Sequence, residues 1–173
     1  MNLSEFEDAY EDVHEDIGQI QGAVLETPVS ELMACDPLVV DADSTVVGAV
    51  NAMNERRIGC VLVQKAGKLV GILTERDLLR KVIFRDGNRG WKVEAVMTRN
   101  PGTLPPTANV AYALNKMSVD GYRHIPIVDG DRKPIGVLSI RDIVNFVVEF
   151  FPRAVLNLPS DPDKAIPKTA DGG

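Results

Sequence analysis

Apolar and polar positions in the middle of the chain follow two rhythms, and the rhythms recur in the same order twice. After Pro37 comes a short extended piece, Leu38–Val40. Then Val46, Ala49, Val50 and Met53 fall at offsets of 3, 4 and 7 residues, the spacing of one helix face. Ser44 or Thr45 stands where a helix cap is needed. Two compact apolar runs follow, Cys60–Val63 and Leu69–Leu73, around the polar turn Lys65–Lys68, which predicts a hairpin or two neighbouring strands. A second helix is expected from Thr74, with Leu78, Leu79 and Val82 on its apolar side. The second pass runs from Gly102–Leu104 through a helix capped by Thr107 or Asn109. It continues through the runs Ile125–Val128 and Ile135–Leu138 around Asp129–Lys133. It ends in a helix from Ser139 bearing Ile143, Val144 and Val147. Each pass reads β-α-β-β-α, so the predicted class is mixed α/β (α+β).

The two passes are copies. A shift of 64 residues lays Met33 on Met97, Pro37 on Pro101, Val46 on Val110, Ala49 on Ala113, Asn51 on Asn115 and Met53 on Met117. One further residue of loop lays Lys68 on Lys133, Gly71 on Gly136, Leu73 on Leu138, Arg76 on Arg141, Asp77 on Asp142 and Val82 on Val147. Two copies are too few for a solenoid, so a pseudo-symmetric pair of half-domains is expected. The expected divisions are an acidic helical extension over 1–28, a first repeat over 29–85, and a linker with the second repeat over 86–151. A Pro-rich, poorly ordered tail is expected over 152–173. Trp91, in the linker, is an expected anchor against the core.

In the N-terminal extension, Leu3, Phe6, Tyr10, Val13, Ile17, Ile20 and Val24 alternate offsets of 3 and 4, a heptad seam. Its flanks are acidic or neutral, so two parallel copies would repel each other. A helix packed on the repeats or on a basic protein partner is therefore expected, in preference to a self-paired coiled coil.

Charge sharpens this picture. Residues 1–55 hold 13 Asp and Glu and no Lys or Arg; the remaining residues hold all 19 basic residues and 12 acidic ones (25 − 13), within a net charge of −6. An acidic head on a mildly basic body argues against nucleic-acid binding and suits attraction of small anions. Apolar residues at 45% and charged residues at 25% are ordinary for a globular protein. No apolar run is long enough to insert in a membrane. No secretory signal is recognisable, and two cysteines make no disulfide framework, so a reducing, cytoplasmic setting is expected. Cys35 and Cys60 read as small packed residues. His14 and His124 are too far apart in sequence to suggest a metal cluster.

The chemistry gathers where each second helix begins. Gly71-Ile-Leu-Thr-Glu-Arg-Asp77 and Gly136-Val-Leu-Ser-Ile-Arg-Asp142 share Gly, two apolar residues, Thr or Ser, any residue, Arg and Asp. Two readings fit. Thr74 with Asp77, and Ser139 with Asp142, have the spacing of a capping box. The same groups can also receive a nucleotide: a carboxylate for a ribose diol, a hydroxyl beside it, and Arg76 or Arg141 for phosphate. The two uses do not exclude each other.

On these residues the chain resembles the CBS-domain pair, or Bateman module, over roughly residues 29–150. The resemblance rests on the duplicated unit, on Val-Met-Thr-Arg-Asn-Pro (96–101), on Arg-His-Ile-Pro-Ile-Val-Asp (123–129) and on the two Asp segments. It implies a module binding an adenosine-containing ligand (AMP, ADP, ATP or S-adenosylmethionine) in one or two clefts between the repeats, with magnesium accompanying a triphosphate. The family's ribose-binding Asp falls on Asp77 and Asp142, and its Thr or Ser on Thr74 and Ser139. Arg123 and His124 are expected near the phosphate of a nucleotide seated on Asp77, where the more anionic ligand is expected. Gly59 and Cys60 are expected beside Asp142. The adenine would lie near Pro37–Val39 or Pro101–Thr103.

The expected role is sensing, not catalysis, through a homodimer or a protein partner, with no obligatory cofactor and no metal site. Val144, Val147, Val148, Phe150 and Phe151 offer more apolar surface than one helix face uses, which favours a homodimer. The rival reading is a scaffolding dimer whose clefts stay empty. An enzyme is disfavoured because neither Asp has a nucleophile or titratable partner at recognisable spacing.

Overall fold

The computed structural model describes residues 21–33, 36–83 and 90–150. The N-terminal seam before residue 21, Cys35, residues 84–89 and the tail from residue 151 lie outside the described residues. Residues 21–26 are helical.

The first repeat contains β1 (Val39–Asp41), α1 (Val46–Arg56), β2 (Cys60–Lys65), β3 (Lys68–Thr74) and α2 (Glu75–Lys81). A short helix α3 (Val93–Val96) and strand β4 (Thr98–Arg99) precede the second repeat. That repeat has α4 (Val110–Val119), β5 (His124–Val128), β6 (Pro134–Ser139) and α5 (Ile140–Val148). Among the described residues the strands form one sheet in the order β1-β2-β3-β4 and a pair β5-β6. β1 runs parallel to β2, and the β2–β3 and β5–β6 hairpins are antiparallel. Thr45 caps α1, its hydroxyl accepting from the Gly48 N–H at 3.1 Å. The extended piece expected at Gly102–Leu104 reduces to a single bridge from Leu104 to Ile127. Pro101, Pro105 and Pro106 flank it and carry no N–H for a longer ladder.

The repeats exchange the segments that lead into them. Residues 27–33 lead into the first repeat but dock on the second. The Val29 N–H donates to Ala108 O at 2.8 Å, and the Val110 N–H to Thr27 O at 3.0 Å. Residues 91–97 do the reverse: the Val93 N–H donates to Ser44 O at 2.9 Å, and the Val46 N–H to Trp91 O at 2.8 Å. The isolated bridges Pro28–Asn109 and Thr45–Lys92 are the two halves of this relation. The cores follow the same rule. Val93, Val96 and Met97 complete a core with Val46, Val61, Val63 and Leu73, against which Trp91 packs as expected. Val29 completes the other, with Ala113, Ile125, Ile127 and Leu138. A third cluster of Cys60, Leu62, Leu69, Ile72 and Val128 joins the two hairpins.

The crossing leaves no room for a side chain on two strands. A Cβ on Gly71 would run into the Met97 sulfur and lie 3.0 Å from the Thr98 carbonyl oxygen; one on Gly136 would run into the Met33 sulfur. Gly71→Ala is therefore expected to lower the unfolding free energy by about 1–3 kcal/mol in urea denaturation. Unchanged stability would mean that the segment 91–98 does not press on β3.

Candidate functional site

The last residue of each hairpin is the cap of the helix that follows. At α2, Thr74 Oγ1 accepts from the Asp77 N–H at 3.2 Å. Asp77 Oδ2 accepts from the Thr74 N–H at 3.1 Å and from its hydroxyl at 2.7 Å. At α5, Ser139 Oγ accepts from the Asp142 N–H at 3.3 Å. Asp142 Oδ2 accepts from the Ser139 N–H and hydroxyl, both at 2.7 Å. Both capping boxes foreseen from the sequence are present.

The two carboxylates differ at their other oxygen. Asp77 Oδ1 accepts from Lys81 Nζ at 2.6 Å and from the Thr98 hydroxyl at 3.0 Å. Lys81 Nζ also donates to Val96 O at 2.8 Å. Asp142 Oδ1 has no hydrogen-bond partner among the described residues. Burial pushes the Asp77 carboxyl up. The hydrogen bonds from Lys81, the Thr74 hydroxyl and N–H, and Thr98 outweigh that and hold it below its usual range.

The helix starts are stitched to the beginnings of the middle strands. Glu75 N–H donates to Gly59 O and Ile140 N–H to Arg123 O, both at 3.0 Å. In register, Cys60 pairs with Thr74, and His124 with Ser139. The two strand beginnings meet: a Cβ on Gly59 would lie 3.3 Å from the Glu75 carboxylate and 3.6 Å from the His124 ring. The result is one cleft of about 770 Å³. Thr74, Arg76, Asp77, Arg123, His124, Ser139, Arg141 and Asp142, the residues singled out from sequence, all line it.

The sequence reading passed over Arg57, Arg80, Lys81 and Thr98, which also line the cleft. Lys81 was accessible to it, four residues after Asp77 on a predicted helix. Arg57 was not, because it closes α1 in the left-handed conformation at φ 54°, an unusual place for a side chain other than glycine. Tyr122 and Ile58 both reach the cleft wall, and Ile58 also packs on the first core.

Six basic side chains line the cleft together with five carboxylates. Burial and neighbouring Arg123 push the His124 pKa down, against opposing pulls from Glu75 and Asp142, so the ring is neutral at pH 7. Cys60 sits in the same wall, and burial and Glu75 push its thiol up to about 12, which makes it a poor nucleophile. Among the described residues no cluster of His, Cys, Asp or Glu could hold a metal ion, and no helix is long and apolar enough to cross a membrane.

Comparison with known proteins matches this architecture. The family model of the CBS domain matches residues 29–83 and 93–149. The Arabidopsis thaliana CBS domain-containing protein CBSX3, mitochondrial, is 38% identical over 112 residues, which are 61% of this chain and 54% of that protein. This chain thus spans about half of that relative's length. The CBS domain protein PAE2072 from Pyrobaculum aerophilum, solved complexed with AMP, is 26% identical with a TM-score of 0.65, over 73% of this chain and 99% of that one. The CBS domain pair of protein MJ0100, solved with 5'-methylthioadenosine and S-adenosyl-L-methionine, is 25% identical with a TM-score of 0.62, over 69% and 94%.

The Asp77 interactions predict an acid-labile fold. The folded protein holds this carboxyl below its ordinary 3.8, so its contribution is complete above that value and is lost as pH falls through the folded one. Melting temperature should fall more steeply between about pH 5 and pH 3 in the native chain than in Asp77→Asn. Equal slopes would mean that Asp77 titrates as it does in the unfolded chain.

Proposed function

The chain belongs to the CBS domain family, and on that footing we propose that it is a regulatory module whose inter-repeat cleft binds an adenosine-containing ligand. One observation carries the reading: two capped helix starts, each carrying a carboxylate at its cap, open on a single cleft bordered by Arg57, Arg76, Arg80, Arg123 and Arg141. Similar proteins solved with AMP, and with 5'-methylthioadenosine and S-adenosyl-L-methionine, support the ligand class. Arg123 and His124 take the phosphate. An anion arriving there favours the charged ring of His124, so AMP binding takes up a proton and strengthens as pH falls through the ordinary histidine range. Magnesium accompanies a triphosphate ligand only.

The module acts without catalysis, by changing how the two repeats sit against each other and against a second copy, in a cytoplasmic setting. Exposed Leu79 and Ile83, on and just after α2, and Ile140 and Val144, on α5, supply the apolar surface for that second copy. Light scattering should read a dimer mass for the native chain and a monomer mass for Val144→Asp; a native monomer would remove this part of the reading.

The ligand reading is tested by thermal unfolding with AMP, ADP, ATP and S-adenosylmethionine. A ligand at 100 times its Kd adds about 2.7 kcal/mol, a rise of about 5–10 °C for a chain of this size. Arg123→Ala with His124→Ala should reduce the rise for AMP and leave that for S-adenosylmethionine unchanged. No rise with any of the four would favour a scaffolding dimer.

A further inference from the structure

We propose that Lys81 reserves the Asp77 carboxylate for the fold, so that the cleft offers one ribose place per chain, at Asp142. The proposal rests on the ligand reading above and moves the ribose from the Asp77 seat expected beside Arg123 and His124 to Asp142, whose cap Ser139 pairs in register with His124.

A carboxylate accepts about four hydrogen bonds, two at each oxygen. At Asp77 all four positions are filled. Oδ2 takes the N–H and hydroxyl of Thr74, and Oδ1 takes Lys81 Nζ and the Thr98 hydroxyl. Asp142 Oδ2 is filled in the same way by Ser139, but its Oδ1 has no partner among the described residues. Asp142 also lines the cleft. Two acceptor positions on one oxygen are what a pair of neighbouring hydroxyls needs.

The difference is written into the repeat. Phe146 occupies the position that corresponds to Lys81, and Ala34 the one that corresponds to Thr98. Neither residue type carries a side-chain donor, so the second copy lacks both groups that saturate the first. The Phe146 ring instead meets Phe150 edge-on at 5.4 Å.

Lys81 is hard to displace. Its ammonium bonds the carboxylate at 2.6 Å, Val96 O at 2.8 Å and Met97 O at 3.4 Å, using all three donors. Val96, Met97 and Thr98 belong to the segment leading into the second repeat, and Met97 closes over Gly71. A diol that took Asp77 would break charge-assisted bonds and loosen the joint between the repeats. Lys81 therefore acts twice, as a latch between α2 and the second repeat's leading segment, and as the residue that closes this half of the cleft.

Calorimetric titration of the full chain with AMP, and separately with S-adenosylmethionine, tests this in native protein, Asp142→Asn, Asp77→Asn and Lys81→Met. Each is first melted without ligand. The native chain should bind one ligand per chain, and Asp142→Asn should bind about thirtyfold more weakly or worse. Asp77→Asn should melt at lower temperature and still bind one ligand per chain. Lys81→Met, which frees the carboxylate while keeping a chain of similar length, should raise the stoichiometry toward two. Native binding of two ligands, or loss of binding in Asp77→Asn with retention in Asp142→Asn, overturns the assignment while leaving the ligand reading intact. A Lys81→Met stoichiometry that stays at one overturns Lys81 as the closing residue. No binding to the native chain or to any variant overturns the ligand reading, and this assignment with it.

Discussion

The structure depends on the exchange of leading segments between the two repeats. Neither hairpin-and-helix unit covers its own core. Val93, Val96 and Met97 finish the first core, and Val29 finishes the second. The exchange needs two strands to come close to a crossing chain, and glycine at 71 and 136 permits it, each beneath a methionine. Once both segments have crossed, the repeats cannot separate without opening both cores. The cluster around Leu62, Leu69 and Ile72 then buries the remaining apolar strand faces between the hairpins.

The cleft is a consequence of that packing. Pseudo-symmetry brings the starts of β2 and β5 together at Gly59 and His124, and with them the starts of α2 and α5. The caps of those helices thus face a shared space. A capping box satisfies its own N–H groups but uses only one carboxylate oxygen, so the other remains available for a second purpose. In the first repeat that purpose is structural, through Lys81 and Thr98. In the second repeat that oxygen has no partner among the described residues. Duplication produced two equivalent carboxylates, and their neighbours have made them chemically different.

The sequence displayed most of this plainly where a signal was local. Helix faces in α1 and α4, the two hairpins and both capping boxes followed from short-range spacing. The 64-residue shift revealed the pairing of repeats. The segment exchange was not legible, because it rests on two-residue pairings between distant positions, such as Gly71 with Arg99, that leave no periodic trace. The expected strand at Gly102–Leu104 is one bridge because the prolines around it carry no N–H for a longer ladder. At the site, residue types and spacing identified Asp77 and Asp142 alike. What separates them is the occupancy of a single oxygen, by Lys81 four residues on, which the spacing offered, and by Thr98 from another element, which it did not.

The shared cleft is proposed to hold an adenosine-containing ligand between its two strand beginnings and helix starts. Amide chemical shifts during titration of isotope-labelled full chain with AMP test it most directly. The account predicts saturable shifts concentrated at Arg123, His124 and Ser139–Asp142, with the far ends of α1 and α4 unmoved. Shifts that are absent at saturating AMP, or that cluster away from the cleft, would contradict it.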